Sequence, residues 1–311
     1  MFKKQPFSYP KSLYTVIDCI EASLNKKNKG IVLDYFAGSG TTAQAINTLN
    51  LSKISLKYIL VEMGSYFYTA TLPRVKKSCY QIEEKNWLDG KPLTRDTGIP
   101  QIIKYMRLES YEDALSNIEF NSEETGLLSL FGDDYLIRYM LDLETEGSLL
   151  NVAAFSNPFD YKMKITEKNE SRLRNVDLCE TFNYLIGLSV IRQSSVTYFK
   201  TVKDVDGEYD GAVKLVPDRS GKFAFMQIEG TLPNGDRALV IWRIVTPDTV
   251  ESNAALDAYF LKHRINPQDR EYDVIFVNGD NNLENLRTDK EIWKVVMTET
   301  EFKRRMFEET E

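Results

Sequence analysis

The sequence predicts an α/β protein of two domains, a partial Rossmann-like sheet followed by a second mixed α/β domain. The first observation is an apolar run that leads through a Gly-rich turn into a helical pattern and a second apolar run, which is the βαβ arrangement. The second is an acidic, polar stretch at about 110–126, where we expect the domain boundary. The third is a series of strand patterns that ends in another βα unit. A chain of 311 residues is long enough for about two such domains.

The first domain is expected over 1–115, and its elements follow from the spacing of apolar residues. The predicted elements are, in order, helix 11–25, strand 31–33, helix 43–49, strand 58–61, helix 65–78 and strand 101–108. The second strand is expected to end at Glu62. Pro73 predicts a kink or break in the third helix, because proline lacks the N–H that a helix interior needs.

The second domain is expected over 127–311. Its predicted elements are helices at 127–139 and 177–188, strands at 196–203, 212–216, 222–229 and 237–245, helix 252–264, strand 272–277 and a charged C-terminal helix at 299–309. Asn234-Gly235 predicts a tight hairpin turn between the last two strands of the series, since both residues tolerate positive φ.

Composition excludes several classes of function. The net charge is −7 and the pI is about 5.1, which argues against binding nucleic acid through overall charge but not through a local basic face. The three cysteines are widely spaced, so we expect neither a metal site nor a disulfide framework, and a reducing cytoplasm is the simplest location. No run of about 18 apolar residues is present, which predicts no membrane span.

The segment 34–42, Asp-Tyr-Phe-Ala-Gly-Ser-Gly-Thr-Thr, has the chemistry of a nucleoside-binding loop. Gly38 and Gly40 let the backbone approach a ligand, and the N–H groups of a helix beginning near Thr41 favour an anion. Glu62 lies 22 residues after Gly40, where a carboxylate can accept hydrogen bonds from both hydroxyls of a ribose. The spacing matches neither the Gly-x-Gly-x-x-Gly of nicotinamide binders nor a P-loop. A Gly-rich strand-to-helix turn without a ligand is the alternative.

These motifs resemble those of a known enzyme family. Phe-Ser-Tyr-Pro-Lys-Ser at 7–12, the loop at 34–42 and Val61-Glu62 resemble an adenine-specific DNA methyltransferase of the class in which the catalytic motif precedes the cofactor motif. More narrowly, four further segments resemble the modification (Mod) subunit of type III restriction systems. They are Leu108–Leu115, Asp177–Leu188, Leu239–Arg243 and Tyr272–Asp280.

The resemblance implies S-adenosylmethionine as the cofactor. The residues that it assigns to cofactor binding are Pro10, Lys11, Ser12, Asp34, Phe36, Ala37, Gly38, Ser39, Gly40, Thr41, Thr42, Glu62 and Met63. The segment 10–12 would hold the carboxylate end of the methionine. The segment 34–40 would enclose the methionine and its amino group.

The remaining assignments concern the two ends of the cofactor. Thr41 and Thr42 would cap the helix and reach the carboxylate, Glu62 would bind the ribose, and Met63 would lie against the adenine.

The catalytic motif of the resembled family is absent from the sequence. That motif is Asp-Pro-Pro-Tyr or a close variant, and its aromatic ring stacks on a flipped base. Only 33 residues precede Asp34, and none of them carries it, so we assign no catalytic residue. The nearest match, Asn157-Pro158-Phe159, would fit the opposite motif order, but a plain turn is the favoured interpretation.

We therefore expect a C-terminal portion of such an enzyme that is inactive alone. A missing N-terminal methyltransferase half or a second Mod subunit would complete it. Double-stranded DNA would be the substrate of the complete enzyme, and the restriction (Res) subunit would contact the C-terminal domain. Two alternatives stay open, a non-catalytic assembly module that docks one of these partners and a different small-molecule methyltransferase.

Three further features have two interpretations each. The acidic segment 204–210 has some features of a calcium loop but lacks the full set of ligands, so a solvated β-turn is favoured. His263, the only histidine, is expected at the surface. The aromatic run 66–68 could stack on a base or on adenine, or pack in the core.

Overall fold

The computed structural model describes residues 11–52, 54–80, 98–108, 110, 113, 155–167, 170–205, 212–285 and 294–307. The chain divides into two compact units, Met1–Arg107 and Leu108–Glu311. The helix predicted over 127–139 lies outside the described residues. The assignment of functions to 1–115 and 127–311 stays a prediction.

The first unit contains the predicted βαβ arrangement. Its elements are α1 (Leu13–Leu24), β1 (Lys29–Asp34), α2 (Thr41–Asn50) and β2 (Ser55–Leu60). The two strands pair in parallel, with Asp34 opposite Leu60. Their carboxyl ends therefore lie side by side, and the Gly-rich loop follows one of them while Glu62 follows the other.

One face of this two-stranded sheet packs on helices. The buried cluster consists of Ile20, Ala45, Ile46, Leu49 and Leu56. Val32 and Tyr58 pack against this cluster from the strands. Their neighbours Leu33 and Ile59 point to the other face, because side chains alternate along a strand, and they are 58% and 52% exposed. Parallel sheets are normally covered on both faces, so the exposed face is an unusual feature.

The third predicted helix begins later than expected, two residues before Pro73. A short 3₁₀ turn, Ser65–Phe67, is followed by α3 (Thr71–Tyr80). Pro73 lies in the first turn of α3, where the N–H groups have no partner within the helix, so a residue without an N–H costs little. The segment predicted as one helix is thus interrupted shortly before Pro73, which agrees with the expected break.

The strand predicted over Gln101–Leu108 is wrong, because these residues form no strand. Side-chain bonds from Gln101 hold the segment in place of a backbone ladder. Its amide accepts from the Tyr58 hydroxyl at 2.9 Å and donates to Asn47 Oδ1 at 3.2 Å. The apolar side chains that made the segment look like a strand, such as Ile102, are exposed.

The second unit is a mixed α/β structure. Its described elements are β3 (Lys162–Glu167), β4 (Glu170–Asn175), α4 (Leu178–Leu185), β5 (Ser189–Gln193), β6 (Thr197–Lys203), β7 (Val213–Pro217), β8 (Phe223–Thr231), β9 (Arg237–Arg243), α5 (Thr249–His263), β10 (Val274–Val277), β11 (Val295–Met297) and α6 (Thr298–Phe307). The predicted helices and strands within these residues are confirmed. β3, β4, β5 and β11 were not predicted.

Seven of the described strands form one sheet in the order β11-β10-β9-β8-β6-β7, with β5 also paired to β8. The hairpin predicted at Asn234-Gly235 joins β8 and β9, and Gly235 has a φ of 92°. Beyond it, β9, α5 and β10 form a βαβ unit, since β10 pairs with β9 in parallel.

Both faces of the central strands of this sheet, β8, β9 and β10, are buried. On one face, α4 and α6 cover alternate residues of β9 and β10, such as Trp242 and Phe276. On the other face, α5 covers their neighbours, such as Ile241 and Ile275. This two-sided burial explains why β9 and β10 are almost continuous apolar runs.

A buried polar network fixes the carboxyl ends of β9 and β10. Arg243 is fully buried, and its guanidinium donates to the backbone oxygens of Asn278, Ser252 and Asp280 at 3.0, 2.8 and 2.7 Å. Asn278 in turn exchanges hydrogen bonds with the backbone N–H and C=O of Arg243, and it donates to Phe155 O at 2.7 Å. Burial lowers the pKa of Arg243 to about 10, against the attraction of Glu299, so it stays charged at neutral pH.

Candidate functional site

The Gly-rich loop turns sharply between β1 and α2. Gly38 and Gly40 adopt left-handed φ values of 56° and 77°, which favour glycine over residues that carry a Cβ. Gly40 N donates to Ala37 O at 2.8 Å and closes the turn. Gly40 is the N-cap of α2 and has no side chain that could accept hydrogen bonds from the first N–H groups of the helix. These N–H groups can therefore bind an anion.

Asp34 anchors the start of this loop. Its carboxylate accepts from Phe36 N at 3.2 Å and from the Thr42 hydroxyl at 2.5 Å. The Asp34 carboxylate therefore connects the end of β1 to the first turn of α2. A carboxylate retains further acceptor capacity beyond two hydrogen bonds, so Asp34 can also accept from a ligand.

Glu62 lies across the same loop, as the sequence analysis expected from its position after β2. Its Oε2 accepts from Gly38 N at 2.7 Å, and its Oε1 accepts from Gly64 N at 2.7 Å. Partial burial alone would raise the pKa of Glu62, but the backbone hydrogen bonds from Gly64 and Gly38 outweigh it and lower the pKa. The charged carboxylate is therefore the favoured form.

Tyr66 is a further hydrogen-bond donor to the Glu62 carboxylate. Its hydroxyl donates to the Glu62 carboxylate, and that hydrogen bond raises the pKa of Tyr66. A carboxylate offers about four acceptor positions, and these three donors, Gly38 N, Gly64 N and the Tyr66 hydroxyl, occupy most of them in this state. A ligand diol would have to displace one, and the Tyr66 hydroxyl, on a rotatable side chain that is not buried, is the easiest to move.

Two residues of α3 hold the loop from the other side and were missed by the sequence analysis. The Thr71 hydroxyl donates to Gly38 O at 2.5 Å. Arg74 Nη1 donates to the hydroxyls of Ser39 and Thr41, both at 2.9 Å. Both α3 residues lie more than 30 positions from their partners, so local spacing gave no signal for them.

Apolar and aromatic side chains surround the loop and are accessible. Phe36 is 81% exposed, Met63 is fully exposed, and the rings of Tyr35 and Phe36 meet edge to face at 5.6 Å. Such side chains can cover the face of a planar base. None of the aromatic residues 66–68 is buried, so the core alternative for that run is wrong.

The residues predicted before α1 are not joined to the loop. Lys11 and Ser12 are exposed, and within the described residues no hydrogen bond or ion pair links their side chains to the loop. Ser12 is the N-cap of α1 without a side-chain cap. Pro10 lies outside the described residues. Their roles in cofactor binding stay predictions.

The remaining site predictions concern the loop interior. Ala37, Ser39, Gly40, Thr41 and Thr42 are buried, and Gly38 is partly exposed. The structure therefore brings Asp34, the loop, the start of α2 and Glu62 together at the carboxyl ends of two parallel strands. Ligands of open α/β sheets bind at this end of the strands.

The lowered pKa of Glu62 predicts an acid-dependent loss of stability. Because the folded-state pKa lies below the ordinary 4.5, the contribution of Glu62 is complete above about pH 4.5 and is lost as the pH falls through the lowered pKa. We expect the melting temperature of Glu62→Gln to change less between pH 5 and pH 3 than that of the unaltered chain. If the melting temperatures of the two proteins depended equally on pH, the lowered pKa of Glu62 would be contradicted.

The sequence model of the DNA methylase family matches residues 2–72. The Mod subunit of the type III restriction-modification enzyme EcoP15I of Escherichia coli is 43% identical over 60 residues, which are 19% of this chain. That match spans only 9% of the relative's length. No solved structure matches the chain. The two matches support a relationship of the chain to DNA methyltransferases, and the family match includes the Gly-rich loop.

Other sequence features form no second site in the described residues. Asn157-Pro158-Phe159 lies at a short 3₁₀ turn with Pro158 buried, as the plain-turn interpretation expected. Asp204 pairs with Lys214 at 2.6 Å, and 206–210 lie outside the described residues. His263 is exposed at the end of α5, with its ring against Tyr259.

In the described part of the chain, no group of three or more His, Cys, Asp or Glu side chains could hold a metal ion. No described helix is long and apolar enough to cross a membrane.

Proposed function

We propose that this chain provides the S-adenosylmethionine-binding part of an adenine-specific DNA methyltransferase of the type III Mod kind. The reaction of the complete enzyme would be methyl transfer to the exocyclic amino nitrogen of adenine in double-stranded DNA. The match of residues 2–72 to the DNA methylase family supports the class of enzyme. The match to a type III Mod subunit supports the narrower assignment.

The observation that carries the proposal is the hydrogen bond from Gly38 N to Glu62. This bond holds the Glu62 carboxylate, at one strand end, directly against the Gly-rich loop at the neighbouring strand end. A Gly-rich turn with only a structural role does not require an acidic residue from the next strand at its centre. A nucleoside-binding loop does, because the sugar hydroxyls need an acceptor beside the backbone.

The residues present fit S-adenosylmethionine, which supplies a methyl group on a positively charged sulfur. Asp34 offers a negative charge for an amino group, and the first N–H groups of α2 favour a carboxylate. Glu62 offers acceptors for sugar hydroxyls once the Tyr66 hydroxyl moves aside. Phe36 and Met63 are exposed beside the loop and can cover a purine.

The second unit is proposed to serve assembly with partner subunits. It would contact the restriction subunit, while a methyltransferase segment that carries the catalytic motif, or a second Mod subunit, would supply that motif. No Asp-Pro-Pro-Tyr occurs in the sequence, so the chain alone is expected not to methylate DNA. Transfer of a labelled methyl group to DNA by this polypeptide alone would contradict that expectation.

Titration calorimetry with S-adenosylhomocysteine tests the cofactor assignment without depending on catalysis. We expect saturable binding to the chain with a stoichiometry of about one, because one loop of this kind is present in the first unit. Absence of binding at millimolar ligand would contradict the proposal.

Replacing Tyr66 with Phe is expected to strengthen ligand binding. The substitution removes the hydroxyl that occupies the Glu62 carboxylate, so a sugar hydroxyl no longer has to displace it. Because one neutral hydrogen bond is worth about 1 kcal/mol, we expect a roughly fivefold lower dissociation constant. Tyr14→Phe on the exposed side of α1 is the matched control. Weaker binding by Tyr66→Phe would instead show that this hydroxyl contacts the ligand.

A second candidate function is a non-catalytic assembly module. The exposed apolar face of the β1–β2 sheet, with Leu33 and Ile59, favours it, because a protein partner would cover such a face. The calorimetric titration separates the two candidates. An assembly module with a relic loop would bind no adenosyl compound, and polar substitutions on this face would impair only partner binding.

A further inference from the structure

Arg74 connects α3 to both the loop and the start of α2. Its Nη1 atom lies 2.9 Å from the Ser39 hydroxyl and 2.9 Å from the Thr41 hydroxyl. A guanidinium Nη carries two hydrogens and cannot accept. Both hydrogens of Nη1 are therefore directed at the two hydroxyl oxygens, which act as acceptors.

The hydrogens of the two hydroxyls can then be assigned. Ser39 Oγ and Thr41 Oγ1 are 3.1 Å apart, so one hydroxyl donates to the other. Each hydroxyl has a single hydrogen to donate, so only one can lie between the two oxygens. The other hydroxyl hydrogen remains for a third acceptor. The arrangement acts as a hydrogen-bond donor beside a positive charge and at a helix N-terminus, which together suit an anion.

The next residue along α2 contacts an acidic side chain instead of a basic one. Thr42 donates to the Asp34 carboxylate at 2.5 Å, whereas Thr41 accepts from Arg74. Adjacent residues at the start of α2 thus connect to one acidic and one basic side chain. A ligand with an ammonium group and a carboxylate on the same carbon matches this pair of charges.

We propose that Arg74 is a positioning residue that selects the α-carboxylate of the ligand's amino-acid end through the hydroxyls of Ser39 and Thr41. The assignment rests on the proposed function, because it concerns the same loop. Arg74 orients the two hydroxyls as donors and adds a positive charge behind them. Thr71 supports this arrangement, because its hydroxyl fixes Gly38 O from the same helix.

The test compares two ligands that differ only in the carboxylate. S-adenosylhomocysteine carries it, and S-adenosyl-3-thiopropylamine, the decarboxylated analogue, does not. We expect Arg74→Gln to weaken binding of S-adenosylhomocysteine about tenfold or more, because the two hydroxyls lose both the donor that orients them and the positive charge behind them. Binding of the decarboxylated analogue should change less than about twofold. Arg74→Lys, which keeps the charge, should recover part of the loss.

Lys76→Gln is the matched control, because Lys76 is exposed on the same helix and its loss removes the same charge. It should leave both affinities unchanged. An equal loss for both ligands in Arg74→Gln would show that Arg74 only supports the loop, and an unchanged affinity for both would exclude any role. Either result overturns the inference while leaving the cofactor assignment intact. Failure of the unaltered chain to bind either ligand would overturn the proposed function and this inference with it.

Discussion

Replacing Arg243 with Met is expected to lower the free energy of unfolding of the second unit by about 3–5 kcal/mol, the usual effect of breaking a buried charged network. Methionine fills much of the same volume but donates no hydrogen bond. The backbone oxygens of Ser252, Asn278 and Asp280 would lose their charged donor, and a buried carbonyl without a donor costs about 1–3 kcal/mol. Denaturant unfolding followed by tryptophan fluorescence measures the change, since Trp242 lies in the adjoining core.

Arg219→Met is the control for this substitution. Arg219 is exposed between β7 and β8, so its loss should change the free energy of unfolding by less than about 0.5 kcal/mol. A loss below about 1 kcal/mol for Arg243→Met would mean that water or neighbouring side chains satisfy the released carbonyls. The network would then not be a main determinant of the second unit's stability.

Replacing Glu62 with Gln is expected to abolish most binding of S-adenosylhomocysteine. Glutamine keeps the size of the side chain but loses the negative charge and one acceptor oxygen. It also brings an N–H₂ group close to Gly38 N or Gly64 N, two donors that the carboxylate now satisfies. Hydrogen bonds to a charged group are worth about 1.5–3 kcal/mol, so the dissociation constant should rise roughly 10- to 100-fold.

Glu21→Gln is the control for the change of charge, because Glu21 is exposed on α1 in the same unit. Its affinity should equal that of the unaltered chain. If Glu62→Gln binds S-adenosylhomocysteine as tightly as the unaltered chain, the Glu62 carboxylate does not contact the ligand. The Gly-rich loop would then be a structural turn that Glu62 merely stabilises.

Much of the first unit could be predicted because its signals are local. A short apolar run, a Gly-rich turn and a helical pattern determine β1, the loop and α2, and Glu62 follows from the same spacing. Arg74 could not be predicted in this way. Its contact with Ser39 depends on how α3 packs against the loop, 35 residues away in sequence, and a Lys/Arg-rich helix normally indicates only a solvated surface.

The errors in secondary structure have similar physical causes. The segment 101–108 carries apolar residues but is held by the Gln101 side chain, so hydrophobicity alone predicted a strand that does not form. In contrast, β3 and β4 pair over six residues each although every side chain of β4 is exposed, so burial of an apolar face did not mark β4 as a strand. In neither segment did hydrophobicity alone indicate the structure that forms.

The most direct test of the central claim is to map the ligand onto the backbone by nuclear magnetic resonance. Amide spectra of the deuterated chain would be recorded during titration with S-adenosylhomocysteine. We predict that the largest shifts cluster at 34–42 and 62–66, with the Gly38 and Gly64 amides among them, since both donate to the carboxylate that the ligand's sugar would share. No shifts at millimolar ligand, or shifts confined to the second unit, would contradict the account.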